Sequence, residues 1–368
     1  MLEVYARDEF RYGVQAFQRG LFNKSILSFE KSLSYKPDDI LTKEWLGRAY
    51  FRSGFEDSAI DIWRSIIDAN QGTALLRSKV ETLEARRSLS RTLSTPGRYI
   101  TAADVSSKLG QDNVLFRRPG SVLPQPNGGF YISAYGSNEI LLFDINAALR
   151  QRFRGGLEGF DHPFDIIAGP GNTLLISEFE GNRVVQCTAD GVVIKTWGKR
   201  GLSNGGLLGP QYLCLDDQGY FYVTDAGNRQ VVKFDLEGDF VLAFGKKGSG
   251  YEGLKSPTGV AFRDGEVFVL DNARKNITVF DGSGNFIRSF GEGLFHSPEG
   301  VSIMQDGSFL VADKDRIVKF FPDLETIEVV SDLSGKARRI TSAVEDPNGN
   351  ILAVDFDAET VSILSEIT

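Results

Sequence analysis

The segment Phe221-Tyr-Val-Thr-Asp-Ala-Gly-Asn-Arg-Gln-Val-Val-Lys-Phe-Asp235 decides the fold of this chain. Its first half is aromatic and β-branched, its middle is a turn sequence around Gly227 and Asn228, and its second half alternates again, which predicts a β-hairpin. Similar runs begin at Phe130, Leu174, Val267, Phe309 and Ile351. Successive runs lie 42 to 47 residues apart, a period typical of propeller blades.

Each repeat divides into four short predicted strands. In the third repeat these are Tyr212–Asp216, Phe221–Thr224, Gln230–Asp235 and Phe240–Phe244. Glycine-rich links lead to Ser256-Pro-Thr-Gly-Val and Ser297-Pro-Glu-Gly-Val. We expect the proline to precede the innermost strand, where no ladder donor is required.

The pattern Pro-x-Gly-Val, then aromatic-x-x-Asp, then Asn-Arg-x-Val-x-x-Phe resembles the NHL repeat family, which forms six-bladed propellers. The resemblance covers residues 99–368 and is best in the third and fourth repeats. A WD40 propeller fits less well, because none of Trp45, Trp63 and Trp197 is followed by Asp. The sixth repeat has only three strands before the chain ends, so we expect Tyr99–Val105 to supply the fourth and close the ring.

Residues 9–71 follow helical spacing, and two segments overlay with a shift of 34 residues. Gly13 falls on Gly47 and Phe29 falls on Trp63. This resembles the tetratricopeptide (TPR) family. We therefore expect a multidomain α and β protein. Residues 1–90 would form a TPR-like helical solenoid with two repeats and a capping helix near residues 73–89. Residues 91–98 would be a linker, and residues 99–368 would form the six-bladed propeller.

The TPR resemblance implies a concave groove that binds peptide segments. Its lining residues would be Phe10, Val14, Phe17, Glu44, Arg48, Phe51 and Arg52. The alternative is that so short a solenoid packs these residues against its own propeller or against a sister subunit, which leaves an oligomer formed through the helices open.

Composition narrows the function classes. Residues 1–100 hold 16 Lys and Arg against 13 Asp and Glu, and residues 101–368 hold 25 against 36, so neither half has the overall basic excess of a typical nucleic-acid binder. Cys187 and Cys214 lie in strands of different repeats and are expected as buried thiols. No apolar run is long enough for membrane insertion. The compartment stays open: cytoplasmic, or periplasmic if a targeting segment precedes Met1.

Loops before the innermost strands share one face of a propeller with loops between the second and third strands. The cations expected there are Arg154, Lys199, Arg200, Lys246, Lys247, Arg274 and Lys275, with Tyr135, Phe179 and Phe356 nearer the channel. Such a rim predicts an acidic peptide, a phosphate-bearing ligand or RNA, and the alternative is a solvated surface. Asp225 and Arg229 are expected to brace a turn, as in the NHL family.

Some similar propellers are enzymes, including zinc lyases with histidines around the channel and calcium-dependent lactonases. Only His162 and His296 exist here, which excludes a three-histidine site. Asp225, Asp271, Asp313 and Asp355 are expected to cap turns rather than to bind a cation. No cofactor is expected. The predicted function is a non-enzymatic scaffold for protein or peptide partners, for instance in a bacterial cell-envelope assembly such as a periplasmic motor collar; the alternatives are a metal-dependent propeller lyase or hydrolase and an RNA-binding propeller.

Overall fold

The computed structural model describes residues 2–53, 55–69, 71–73, 76–77, 79–80, 99–109, 113–246, 252–333 and 335–366. Within these ranges the chain forms two compact units, one containing the helices and one containing the β-sheets. The predicted linker over residues 91–98, Lys247, and most of the predicted capping helix lie outside the described residues.

The described part of the helical unit includes the helices α1 (Leu2–Gln18), α2 (Phe22–Tyr35), α3 (Ile40–Arg52) and α4 (Glu56–Asp68). Phe29 of α2 packs on Gly13 of α1, and Trp63 of α4 packs on Gly47 of α3. In both pairs, a Cβ on the glycine would lie 2.6 Å from the Cδ1 atom of the aromatic ring. Both helix pairs therefore depend on a residue without a side chain at the same position.

The β unit is a six-bladed propeller, as the NHL resemblance predicts. Each blade is a four-stranded antiparallel sheet, and its strands are called A to D from the channel outward. The innermost strand of each blade contacts those of its two neighbours, and blade 6 contacts blade 1, so the ring closes.

The strands of blades 1 to 5, in the order A to D, follow the chain. Blade 1 comprises Pro119–Pro124, Phe130–Ala134, Glu139–Phe143 and Leu149–Phe153, and blade 2 comprises Pro163–Gly169, Thr173–Glu178, Arg183–Thr188 and Val193–Trp197. Blade 3 comprises Pro210–Leu215, Phe221–Asp225, Gln230–Phe234 and Phe240–Phe244. Blade 4 comprises Pro257–Arg263, Glu266–Asp271, Asn276–Asp281 and Phe286–Phe290, and blade 5 comprises Pro298–Ile303, Phe309–Asp313, Arg316–Phe320 and Ile327–Asp332.

Blade 6 is built from both ends of the propeller segment. Its strands A to C are Ile340–Glu345, Ile351–Asp355 and Thr360–Glu366, and its strand D is Tyr99–Ser106. Strand D pairs antiparallel with strand C from Tyr99 opposite Glu366 to Ser106 opposite Thr360. Val105 of this strand is buried in the same apolar cluster as Phe116, Val354 and Val361.

Candidate functional site

Antiparallel strands place the loops of every blade on two opposite faces. We call the face with the B–C loops and the links from strand D to the next strand A the loop face. The other face, with the A–B and C–D turns, is the turn face. The two faces differ sharply in charge.

The turn face contains no Lys or Arg in any of its A–B and C–D turns. Its twelve acidic residues are Asp144, Asp190, Asp216, Asp217, Asp235, Glu237, Asp239, Asp264, Asp306, Asp323, Glu325 and Asp346. On the loop face, the described residues contain fifteen Lys and Arg against eight Asp and Glu. The acidic propeller therefore carries a basic face.

Much of the turn-face acidity is explained by turn chemistry. The Oδ1 atom of Asp216 accepts the backbone N–H groups of Gln218 (2.9 Å) and Tyr220 (2.8 Å), and Asp346 makes the same pair of bonds to Asn348 and Asn350. These carboxylates close tight turns. The cations of the loop face close no comparable turn, so turn geometry does not account for them.

The carboxylates at the ends of strands B hold the loop face together. Asp271 accepts the amide N–H groups of Lys255 and Ser256, and Asp313 accepts those of His296 and Ser297. Across the described ranges, no three His, Cys, Asp or Glu side chains converge as they would around a metal ion. These aspartates cap the links to strand A.

The expected brace between Asp225 and Arg229 is wrong. Asp225 instead accepts the amide of Leu208 (2.8 Å) and the side-chain amides of Asn228 (2.7 Å) and Gln230 (2.9 Å). Arg229 has a left-handed φ of 55° and is exposed. In both blades 3 and 5, the residue three positions after the aspartate makes the contact. Asn228 bonds Asp225, and Arg316 bonds Asp313 at 2.8 Å.

The structure separates the predicted cations into two groups. Arg154 bonds the buried carboxylate of Glu139 at 2.8 Å, and the guanidinium of Arg274 donates to the Gly253 carbonyl at 2.7 and 3.1 Å, so both have structural partners. Lys199, Arg200, Lys246 and Lys275 are exposed. Lys247 lies outside the described residues.

The predicted aromatic residues meet at the entrance of the channel. Tyr135 lies between Phe356 and Phe179, with ring centroids 5.4 and 6.0 Å away. His162 packs edge-on against Tyr135 at 4.7 Å, and its Nδ1 lies 2.8 Å from the Asp161 carboxylate. Tyr135 and Phe179 are half-buried, whereas Phe356 is only 7% exposed. Burial raises the pKa of Tyr135 with help from Glu180, against the opposing effect of Arg118.

Four arginines that the sequence analysis missed lie in the links on this side of the ring, and two of them border Phe356. Arg117 and Arg118 precede strand A of blade 1, and Arg338 and Arg339 precede strand A of blade 6. The guanidinium carbons of Arg118 and Arg339 lie 6.0 and 4.9 Å from the Phe356 ring centroid. A repeated Arg-Arg dipeptide before an innermost strand was the available signal. The candidate site, called the channel mouth, comprises Tyr135, Phe179, Phe356, Arg117, Arg118, Arg338 and Arg339.

Arg339 is fixed within the mouth by a half-buried ion pair. Its Nε atom lies 3.1 Å from the Glu299 carboxylate, whose side chain is 8% exposed. Burial raises the pKa of Glu299, and the positive charge of Arg339 opposes that shift. The backbone amides of Arg338 and Arg339 donate to Asp355 at 2.6 and 3.2 Å. The side chain of Arg339 is thus held before any ligand binds, whereas Arg338 is held through its backbone amide alone.

Below the mouth, the six innermost strands enclose a cavity of about 290 Å³. Its walls are mainly apolar and include the side chains of Ser121, Asp165, Cys214 and Ser342. Asp165 accepts the Leu213 amide at 2.8 Å, and burial raises the pKa of its carboxyl group. His162 and His296 stand before strands A of blades 2 and 5, on opposite sides of the ring.

Both cysteines are free thiols; Cys187 is buried, as expected, whereas Cys214 is half-buried. Burial raises the pKa of Cys187 to about 12 and that of Cys214 well above its usual value. Neither thiol is poised as a nucleophile, because the reactive thiolate is disfavoured at both positions.

In the helical unit, the apolar residues predicted to line the groove pack largely into the unit's own core. Phe17 contacts Trp45 at 5.3 Å, and Phe10 and Val14 pack against the cluster around Phe29. Phe51 contacts Trp63 at 5.8 Å. The polar groove residues are paired within the unit: Arg48 bonds Glu44 at 2.8 Å, and Arg52 lies over the Phe22 ring at 5.2 Å. All seven residues are half-buried.

No protein-family model matches this chain. The Drosophila melanogaster protein Brain tumor is 28% identical to it over 120 residues, which is 32% of this chain and 12% of that protein, and this similarity fits the NHL-type repeat. The chain therefore corresponds to a small part of that relative. No helix within the described ranges is long and apolar enough to cross a bilayer.

Several solved structures share the propeller fold. Virginiamycin B lyase from Staphylococcus aureus matches with a TM-score of 0.51 and 15% identity, over 72% of this chain and 99% of that one. A gluconolactonase from Xanthomonas campestris matches with a TM-score of 0.54 and 13% identity, over 74% and 96%. A Bacteroides thetaiotaomicron protein of unknown function gives a TM-score of 0.57 and 12% identity, over 74% and 75%. At these identities the matches show the fold alone.

Proposed function

We propose that this chain is a non-enzymatic interaction protein whose propeller loop face binds an acidic segment of a protein partner. The observation that carries the proposal is the separation of charge: the loop face holds fifteen Lys and Arg among its described residues, and the turn face holds none in its turns. Such a field attracts acidic partners and suppresses basic ones.

The helical unit is proposed as a second binding module of the TPR type, spanning residues 1–90 and joined to the propeller by residues 91–98. Support comes from the two helix pairs, in which Gly13 with Phe29 and Gly47 with Trp63 form the same contact 34 residues apart. Its groove would offer Glu44, Arg48 and Arg52 to a peptide. Because the groove residues are already packed, binding would order little additional structure.

The propeller proposal is tested with a fluorescein-labelled peptide of eight glutamates, measured by anisotropy at 20 to 300 mM salt. Lys199→Glu/Arg200→Glu/Lys246→Glu should weaken binding at least tenfold, because three exposed cations become repulsive. Arg19→Glu/Lys24→Glu, which reverses two exposed charges of the helical unit, is the control and should leave the affinity within twofold. Equal affinity for all three proteins would refute the proposal.

A propeller lyase or hydrolase is the second candidate, favoured by the fold likeness to virginiamycin B lyase and by the channel cavity that holds Asp165. Metal analysis of the purified chain separates the two functions. A stoichiometric, tightly held cation whose retention depends on Asp165 would support the enzyme and count against the scaffold.

A further inference from the structure

The channel mouth is aromatic on one half of the ring only. The residue that follows strand B is Phe356, Tyr135 or Phe179 in blades 6, 1 and 2, and Ala226, Asn272 or Lys314 in blades 3, 4 and 5. Because these positions are equivalent in the six blades, the fold itself does not require aromatic side chains there. The three rings mark one arc of the mouth as different from the rest.

The same arc carries cations that no carboxylate neutralises. Within the described part of the chain, no carboxylate pairs with the guanidinium of Arg117, Arg118 or Arg338, and all three residues are exposed. Their backbones are nevertheless fixed, since Glu359 accepts the Arg118 amide at 3.3 Å and Asp355 accepts that of Arg338 at 2.6 Å. The guanidinium carbon of Arg118 lies 6.0 Å from the Phe356 ring centroid, and exposed guanidinium groups without a carboxylate partner are well suited to bind carboxylates.

The blade 2 end of the arc has the opposite charge. Asp161 lies in the link before strand A of this blade, and Glu180 lies in its B–C loop. The negative charge of each adds to burial in raising the pKa of the neighbouring Tyr135 hydroxyl. A carboxylate placed over Phe179 would be repelled there, whereas an apolar side chain would not. The arc therefore has its four arginines at blades 6 and 1, where Asp357 and Glu359 are the acidic residues of the B–C loop, and its half-buried rings at blades 1 and 2.

We infer that this arc anchors an extended protein segment in which one or two carboxylates lie next to an aromatic or aliphatic side chain. The carboxylates contact Arg118 and Arg338, and the apolar side chain packs on the half-buried rings of Tyr135 and Phe179. This inference rests on the proposed function, and it adds where on the loop face the partner binds and which sequence it presents. Two separated requirements give specificity that a uniform cationic rim does not.

The experiment uses the full chain and three labelled peptides with blocked ends: Glu-Glu-Trp-Gly, Glu-Glu-Ala-Gly and Gln-Gln-Trp-Gly. Wild type should bind the first at least fivefold more tightly than either of the others, because each of these lacks one element. Arg118→Gln/Arg338→Gln should weaken the Glu-Glu-Trp-Gly peptide about tenfold. Lys255→Gln/Lys314→Gln removes two exposed cations from the opposite arc of the same face and should change the affinity less than threefold.

A third variant tests the apolar end. Tyr135→Leu keeps an apolar side chain but removes the ring, and it should reduce the preference for tryptophan over alanine while leaving the two glutamates bound. Thermal melting of each variant checks the fold, and Tyr135→Phe provides a milder substitution if Tyr135→Leu unfolds. Arg118→Lys should retain only part of the wild-type affinity for the Glu-Glu-Trp-Gly peptide, because lysine keeps the charge but cannot make a bidentate contact.

The outcomes separate the two proposals. If the opposite arc rather than the mouth controls affinity, or if tryptophan gives no gain, the inference is wrong while the acidic-partner function stands. If no acidic peptide binds, both fail. If an oligouridylate binds through Arg118 and Arg338 more tightly than every peptide, the ligand is a single-stranded nucleic acid and the inference is overturned.

Discussion

Gly259, in strand A of blade 4, lies close against the backbone of strand A of blade 5. Gly259→Ala should therefore destabilise the propeller. A Cβ at this position would lie 2.7 Å from the Val301 nitrogen, 2.8 Å from the Glu299 oxygen and 3.0 Å from the Gly300 carbonyl carbon. All three are backbone atoms, so no side chain can rotate away. The two blades must separate by several tenths of an ångström, or the strand must shift.

The expected cost follows from two opposing effects. Overpacking of a close-packed interior costs about 1–3 kcal/mol, whereas replacing glycine by alanine at an unstrained site stabilises by about 0.4–1 kcal/mol through the unfolded chain. The net loss should be about 1–2 kcal/mol, or roughly 2–8 °C in melting temperature for a unit of this size. Gly282→Ala is the matched control, since its nearest atom would be the Tyr222 hydroxyl at 3.7 Å, and it should be neutral or slightly stabilising.

Hydrogen exchange read by mass spectrometry is the suitable assay, because it reports the propeller and the helices separately. Gly259→Ala should accelerate exchange in Pro257–Arg263 and Pro298–Ile303, with α1 and α2 unchanged as an internal reference. Equal protection in Gly259→Ala and Gly282→Ala would refute the close approach of the innermost strands.

Three further predictions test other parts of the molecule. Gly13→Ala and Gly47→Ala should each lower helical stability by about 1–3 kcal/mol in urea melts followed by circular dichroism, and Trp63→Leu should relieve the second change but not the first if the two helix pairs pack independently. Val105→Asp should lower the free energy of unfolding by about 3 kcal/mol by placing a charge in the core, and it should speed hydrogen exchange in Thr360–Glu366. Ile100→Asp, on the exposed side of the same strand, should do neither, because Ile100 is 55% exposed and Val105 is 7% exposed. Because burial raises the pKa of Asp165 above its usual 3.8, the folded chain holds this proton more tightly than the unfolded chain, so the free energy of unfolding should fall as pH rises above about 4. Asp165→Asn should lose that dependence. If urea titrations gave parallel pH profiles for the wild type and Asp165→Asn, the raised pKa of Asp165 would be contradicted.

The number of blades was predictable because every repeat carries the same alternation within a narrow range of spacing. The residues that begin three of the four strands of blade 3 were also predicted correctly, namely Phe221, Gln230 and Phe240, whereas the first strand begins at Pro210 rather than at Tyr212. The Asp225 contact was not predictable from spacing alone. The turn that follows Asp225 places Arg229 in a left-handed conformation and brings Asn228 to the carboxylate, which depends on backbone geometry that a repeat pattern does not contain.

The channel mouth shows the same limit at longer range. Arg118 and Arg339 are far apart in sequence, and they meet at Phe356 only because blade 6 packs against blade 1. The aromatic residues were found from the sequence, since they follow strand B directly. The arginines were missed because the predicted cations lie in the links that follow blades 1 to 3 and in one B–C loop, and not in the two residues next to a strand A.

The charge separation of the propeller follows from how its two kinds of loop are built. Short A–B and C–D turns favour aspartate, whose carboxylate closes the turn through backbone amides, as in Asp216 and Asp346. Each such turn adds a negative charge to the turn face as a by-product of folding. The links from strand D to strand A are longer and are held by carboxylates that lie buried at the ends of strands B, such as Asp271 and Asp313. The exposed cations Lys199, Arg200 and Lys246 lie in these links, so closure of a turn by a carboxylate does not account for their charge.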